Sequence, residues 1–192
     1  MGEVAGQRTA DAVARAREAI ARRTRLVDDF PSPGIAFKDL TPVLADAEGL
    51  SSIVTALTHG CRDIDLVAGI DARGFLLGGA VARELEVGVL AVRKGGKLPP
   101  PVHTITYDLE YGTATLEIPA SGLDLAGLRV LLVDDVLATG GTVVAASELL
   151  NRTGASVVGV AVIMELAGLG GRDTIARGLG AHVPVHSVAL DA

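Results

Sequence analysis

The stretch Val130-Leu131-Leu132-Val133-Asp134-Asp135-Val136-Leu137-Ala138-Thr139-Gly140-Gly141-Thr142 holds the densest set of chemistry-bearing residues in the chain. An apolar run ends in two carboxylates, Asp134 and Asp135, and a short loop follows with Ala138-Thr139-Gly140-Gly141-Thr142 at the start of a helix. Glycines let a backbone approach a ligand closely. A helix N-terminus offers N–H groups with no intrahelical acceptor and a partial positive charge. Together these features predict a phosphate cradle over 138–142, to which Thr139 and Thr142 add hydroxyl donors. Two acceptors at a strand tip suit two vicinal ribose hydroxyls, so one segment can hold a ribose 5-phosphate by both ends. No Gly-Lys-Ser/Thr follows, which excludes a Walker loop, and the glycine spacing is not that of a dinucleotide fingerprint.

Such a segment must be carried by a sheet. Leu128 to Val133 and Ser156 to Met164 are near-continuous apolar runs, as in strands buried on both faces. Ile64 to Ile70 and Val87 to Arg93 read as strands, with room for a helix over 74–85 between them, and Val183 to Val188 as a last strand. Helices are expected over 142–153 and 175–179, and after Asp46, where Leu50, Ile53, Val54 and Leu57 share a face. Strand–helix–strand units imply parallel pairing and right-handed crossovers. Thr104–Tyr107 and Thr113–Ile118 alternate as an antiparallel hairpin, and Lys94 to His103 reads as a Gly/Pro-rich loop, with His103 solvated. Segment 9–28, with Thr9 as its cap, reads as a helix whose arginines form a solvated face. Pro31-Ser32-Pro33-Gly34 then turns the chain into a short extended piece over 35–40. The fold class is α/β: a mostly parallel sheet flanked by helices, with a small N-terminal segment and an antiparallel hairpin. In open sheets of this kind ligands bind beyond the carboxyl ends of the strands, where the Asp pair and its loop fall.

At 192 residues and 19.5 kDa the expectation is one domain, 1–192. The balance of 17 basic and 23 acidic side chains, −6 overall, argues against nucleic acid and anionic membranes as partners. It leaves room for a small anionic substrate in a local basic pocket. Cys61 is the single cysteine, which excludes an internal disulfide and a cysteine-rich zinc site. No apolar signal core or membrane-length run occurs, so a cytoplasmic setting is expected.

The 130–142 segment resembles the phosphoribosyl-diphosphate motif of the type I phosphoribosyltransferases. Four further strings are similar to the branch of that family acting on adenine: Asp29-Phe30-Pro31-Ser32-Pro33-Gly34-Ile35-Ala36-Phe37-Lys38-Asp39, Asp71-Ala72-Arg73-Gly74-Phe75, Val92-Arg93-Lys94-Gly95-Gly96-Lys97-Leu98-Pro99 and Tyr107-Asp108-Leu109-Glu110-Tyr111-Gly112. They occur in order between about residues 28 and 169. The resemblance implies that adenine and 5-phosphoribosyl 1-diphosphate give AMP and diphosphate in purine salvage. It also implies Mg²⁺, bound mainly through the donor, and a homodimer; no direct metal ligand is named.

By the same resemblance, Ala138, Thr139, Gly140, Gly141 and Thr142 hold the 5′-phosphate, and Asp134 and Asp135 the ribose hydroxyls. Positive charge develops on the sugar as its anomeric bond breaks, and carboxylates beneath it can stabilise that charge. Arg73, Lys94 and Lys97 face the diphosphate. Residues 94–118 form a lid that excludes water, with Glu110 near the reacting base and Tyr111 closing the site. Residues 29–40 form a hood in which Phe37 stacks on adenine, Ile35, Ala36 and Lys38 offer backbone groups to its edge, and Leu166 forms the opposite wall. The sequence departs from the family at Lys38, where Arg is usual, and at Ala36, where a larger residue stands. A 6-oxopurine would call for a lysine after the Asp pair, and Val136 and Leu137 stand there instead. A donor-sensing regulator would carry an added DNA-binding domain or a basic face, and a diphosphokinase a longer, duplicated chain.

Overall fold

The computed structural model describes residues 2–30, 32–34, 36–109 and 112–191, and the chain divides into two compact units, 1–59 and 60–192.

In the first unit, α1 (Gly2–Arg23) buries Ala12, Ala16 and Ile20, one turn apart, and packs on α3 (Ala47–Leu57). Asp46 caps α3 by accepting from Gly49 N–H at 2.9 Å, and Ile53, Val54 and Leu57 are buried as the spacing predicts. The N-terminal helix expected over 9–28 is corrected at both ends. It begins by Gly2 and stops at Arg23, and residues 25–27 are strand β1 (Arg25–Val27). The reason is a partner that local spacing does not reveal. β1 pairs antiparallel with β2 (Phe37–Asp39), Val27 opposite Phe37, and Arg25 ion-pairs Asp39 at 3.0 Å. A short helix, α2 (Thr41–Leu44), buries Val43 and leads into α3.

The second unit is a seven-stranded sheet, in the order β5-β6-β4-β3-β7-β8-β9. Its strands are β3 (Leu66–Ile70), β4 (Gly88–Lys94), β5 (Val102–Leu109), β6 (Gly112–Pro119), β7 (Arg129–Leu137), β8 (Ser156–Leu166) and β9 (Val185–Asp191). Pairings from β4 through β3, β7 and β8 to β9 are parallel, and the hairpin adds β6 antiparallel to β4. The helices are α4 (Arg73–Leu85), α5 (Gly141–Asn151) and α6 (Gly171–Leu179). The α/β class and the antiparallel hairpin are as expected. The core interleaves Ala68, Val92, Leu132, Val160 and Val162 of the sheet with Val143, Ala146, Leu149 and Leu150 of α5. Each large aliphatic side chain fully buried there contributes about 1.5–3 kcal/mol.

Lys94 is corrected from loop to strand. It ends β4, opposite Leu116 of β6, because the hairpin supplies the edge that the flanking glycines conceal. The hairpin's root is thus part of the sheet. It is also braced to α5, where Arg152 Nη1 donates to Thr104 O at 3.2 Å.

Candidate active site

The Asp pair does not stand at a strand tip. β7 runs on to Leu137, with Asp134 opposite Val162 and Leu137 opposite Glu165 of β8. On its other side β7 loses its neighbour, since the pairing with β3 ends at Gly69 and Val133. Asp134 and Asp135 therefore lie where β7 has one strand beside it and an open crevice on the other side. That is the ligand position expected of such sheets.

α4 closes in on this crevice through small residues. A Cβ on Gly74 would come within 2.7 Å of Val133 O, so only glycine lets the start of α4 lie against β7. Arg73, the first residue of α4 and not a residue preceding it, is thereby set with Nε 2.7 Å from Asp135 Oδ2. Asp135 is buried, and its Oδ2 accepts no hydrogen bond from the described residues despite this ion pair. Asp134 Oδ1 accepts from the Asp135 N–H at 2.8 Å. Burial, then the adjacent Asp135 charge, pushes the Asp134 carboxyl well above its ordinary 3.8, against the pull of the Asp135 N–H and Arg73. Two carboxylates and one guanidinium are thus concentrated in a crevice where Asp135 Oδ2 has an ion-pair partner and no hydrogen bond among the described residues.

The predicted cradle follows directly. Gly140 caps α5 with φ of 84°, a left-handed conformation that costs a side-chain-bearing residue strain. It also passes so near α6 that a Cβ would meet Gly171 O at 2.6 Å. The helix starts at Gly141, so the N–H groups of Gly141, Thr142 and Val143 have no intrahelical acceptor. Ala138 and Thr139 are half-buried beside them. Thr142 Oγ1 lies 3.2 Å from Tyr107 Oη, so the hairpin touches the cradle through a residue to which the sequence reading gave no role. Lys94 and Lys97 are exposed; His103 is exposed as expected, but it lies on β5 opposite Ile118 rather than in the loop expected over 94–103, because β6 supplies its partner.

Leu166 ends β8, half-buried, next to a polar cluster around the buried Glu165 that sequence spacing does not reveal. Arg172 grips Glu165 through Nε–Oε1 at 3.1 Å and Nη2–Oε2 at 2.5 Å, and Ser187 Oγ donates to Oε2 at 2.8 Å. These bonds hold Glu165 below its ordinary 4.5. The one local signal is an acid one residue before the end of an otherwise largely apolar strand. In the first unit, Phe37 is half-buried with its ring 5.1 Å from Phe30, edge to face; Lys38 is half-buried beside it and Ala36 exposed. Ile35, Glu110 and Tyr111 lie outside the described residues.

The phosphoribosyl transferase domain model matches residues 36–175. Adenine phosphoribosyltransferase of Mycobacterium sp. (strain KMS) is 65% identical over 156 residues, 81% of this chain and 90% of that protein. The chain belongs to the adenine phosphoribosyltransferase family. The crystal structure of the Rhodothermus marinus member is 47% identical, with a TM-score of 0.83 over 93% of this chain and 99% of that one. The Giardia lamblia member, solved in complex with 9-deazaadenine, is 38% identical, with a TM-score of 0.82 over 94% and 98% of the two chains. These two solved members therefore share the fold over nearly the whole of this chain.

Proposed function

We propose that the protein transfers the 5-phosphoribosyl group of 5-phosphoribosyl 1-diphosphate to adenine, giving AMP and diphosphate in purine salvage. The observation carrying this reading is the crevice at the end of β3. There Asp134, Asp135 and Arg73 meet within one ion-paired group, directly before the 138–142 loop. The free N–H groups at the start of α5, with Thr139 and Thr142, hold the 5′-phosphate. Asp134 and Asp135 accept the ribose hydroxyls and face the positive charge that builds at the anomeric carbon. Arg73 turns to the diphosphate, assisted by Lys94 and Lys97.

Phe37 stacks on adenine while the backbone of Ile35, Ala36 and Lys38 reads its edge, and Leu166 lines the far side. The 94–118 hairpin is the lid, with Glu110 handling the base proton and Tyr111 sealing the site. Among the described residues no cluster of three or more His, Cys, Asp or Glu could cage a metal. Carboxylate oxygens beside a phosphate site fit Mg²⁺, which keeps its waters and substrate phosphates as ligands. When bound, it neutralises leaving-group charge. No described helix is long and apolar enough to cross a membrane, and we place the enzyme in the cytoplasm. Leu76 and Val89, large apolar residues 67% and 51% exposed on α4 and β4, support a homodimer.

A base panel tests the reading. The protein, Mg²⁺ and donor are incubated with adenine, hypoxanthine, guanine, xanthine, uracil or orotate singly, and the product nucleotide is identified by mass. AMP from adenine alone is expected. Donor binding with no nucleotide from any base would overturn the reading in favour of a sensor.

A further inference from the structure

Glu117 is a buried acid outside the crevice, and its surroundings are unusual. It lies on β6 in register with Arg93 of β4 and is 3% exposed. Its neighbours Leu116 and Ile118 are buried too, so β6 departs from strand alternation at this point. Its carboxylate accepts three successive backbone N–H groups: Gly96 to Oε2 at 3.0 Å, and Lys97 and Leu98 to Oε1 at 2.5 and 2.6 Å. Burial works against its charge, but these three bonds and Arg93 outweigh it and hold the carboxyl below 4.5. One residue earlier the turn is held by backbone, Gly95 N–H donating to Thr115 O at 2.9 Å. Beyond that bond the ladder ends, and the Glu117 side chain replaces it. Arg93 Nη1 adds a long contact to Lys97 O at 3.4 Å.

We propose that Glu117 is a positioning residue for the donor's diphosphate. It fastens the 96–98 turn, and with it Lys97, to the hairpin, so that lysine and hairpin reach the diphosphate as one body. The inference rests on the reading of Lys97 given above. A carboxylate has acceptors for all three N–H groups, whereas the amide of glutamine has one oxygen and an NH₂ that meets donors with a donor. Glu117→Gln keeps shape and removes the grip.

The test is a double-mutant cycle with Glu117→Gln and Lys97→Ala, read as KM for donor and for adenine, with thermal melting alongside. Glu117→Gln should raise the donor KM about tenfold, the scale of a lost charge-assisted hydrogen bond, and leave the adenine KM within about twofold. The same change should add almost nothing in the Lys97→Ala background. Trypsin supplies a readout independent of activity: cleavage of the Lys97–Leu98 bond in the folded protein should be faster in Glu117→Gln than in wild type. An unchanged donor KM and an unchanged cleavage rate in Glu117→Gln, with Lys97→Ala impaired, would overturn the Glu117 role alone. Equal rises in both KM values would also overturn it, as a general loss of structure. A kinetically silent Lys97→Ala would remove the diphosphate reading of Lys97 and the proposal with it.

Discussion

Asp135 and the half-buried Asp134 on β7 lie at the same end of the sheet as the buried Glu165 on the adjacent β8, and the two sites are treated in opposite ways. Glu165 accepts from Nε and Nη2 of Arg172 and from Ser187, and its carboxyl is held below the ordinary range. The Asp pair shares one guanidinium, leaves Asp135 Oδ2 without a hydrogen bond among the described residues, and drives Asp134 upward. The first arrangement is complete without a ligand. The second has capacity left over, which the proposed ribose hydroxyls and developing cation would use. Unspent hydrogen-bonding capacity at a buried charge marks the place where substrate completes the structure.

Substitutions can break this contrast. Asp135→Asn should lower kcat/KM for the donor on the order of 10²- to 10³-fold, the scale of losing one preorganised electrostatic contact. Its melting temperature should shift far less than that loss implies; a variant of full activity would end the ribose assignment. Gly140→Ala attacks the cradle. Its left-handed φ and the nearness of Gly171 O should cost about 1–3 kcal/mol of stability together with donor binding, read by melting and by titration with ribose 5-phosphate.

Arg172→Met tests the complete acid. It should cost about 2 kcal/mol at neutral pH, less than a fully buried pair, because the guanidinium is half exposed. Glu165 titrates lower when folded, so its pairing contributes fully above its ordinary 4.5 and is lost as pH falls through the lowered value. The gap between wild type and Arg172→Met should therefore close in acid. Asp134→Asn should do the reverse and stabilise the protein, by about 1 kcal/mol or roughly 2–4 °C at neutral pH. Asp134 titrates higher when folded, so wild type loses stability as pH climbs from 3.8 to the raised value. The advantage of Asn should be absent in acid and appear over that window; equal melting of the two proteins at all pH values would deny that Asp134 is strained by burial.

What was legible in the sequence followed from short-range chemistry. The apolar runs of β7 and β8 announce strands buried on both faces, and Gly140-Gly141 before a helix announces a cradle, because each signal lies within one segment. What was missed depends on distant partners. Val27 fits a helical face as well as a strand, and only β2 decides between them. Lys94 sits beside glycines, and only β6 makes it a strand residue. Glu165, Arg172 and Ser187 come from a strand end, a helix start and another strand, so no spacing rule unites them.

The sheet order has a consequence for the timing of synthesis. β3 has β4, close behind it in the sequence, as one neighbour, but its other neighbour, β7, is made only after the whole hairpin. Until then one edge of β3, with Leu66, Val67 and Ala68, awaits its partner, and such edges invite wrong pairing. The nascent chain passes through an interval in which its most central strand lacks one neighbour, and the arrival of β7 ends that interval and creates the crevice beside Asp134 and Asp135 in one step.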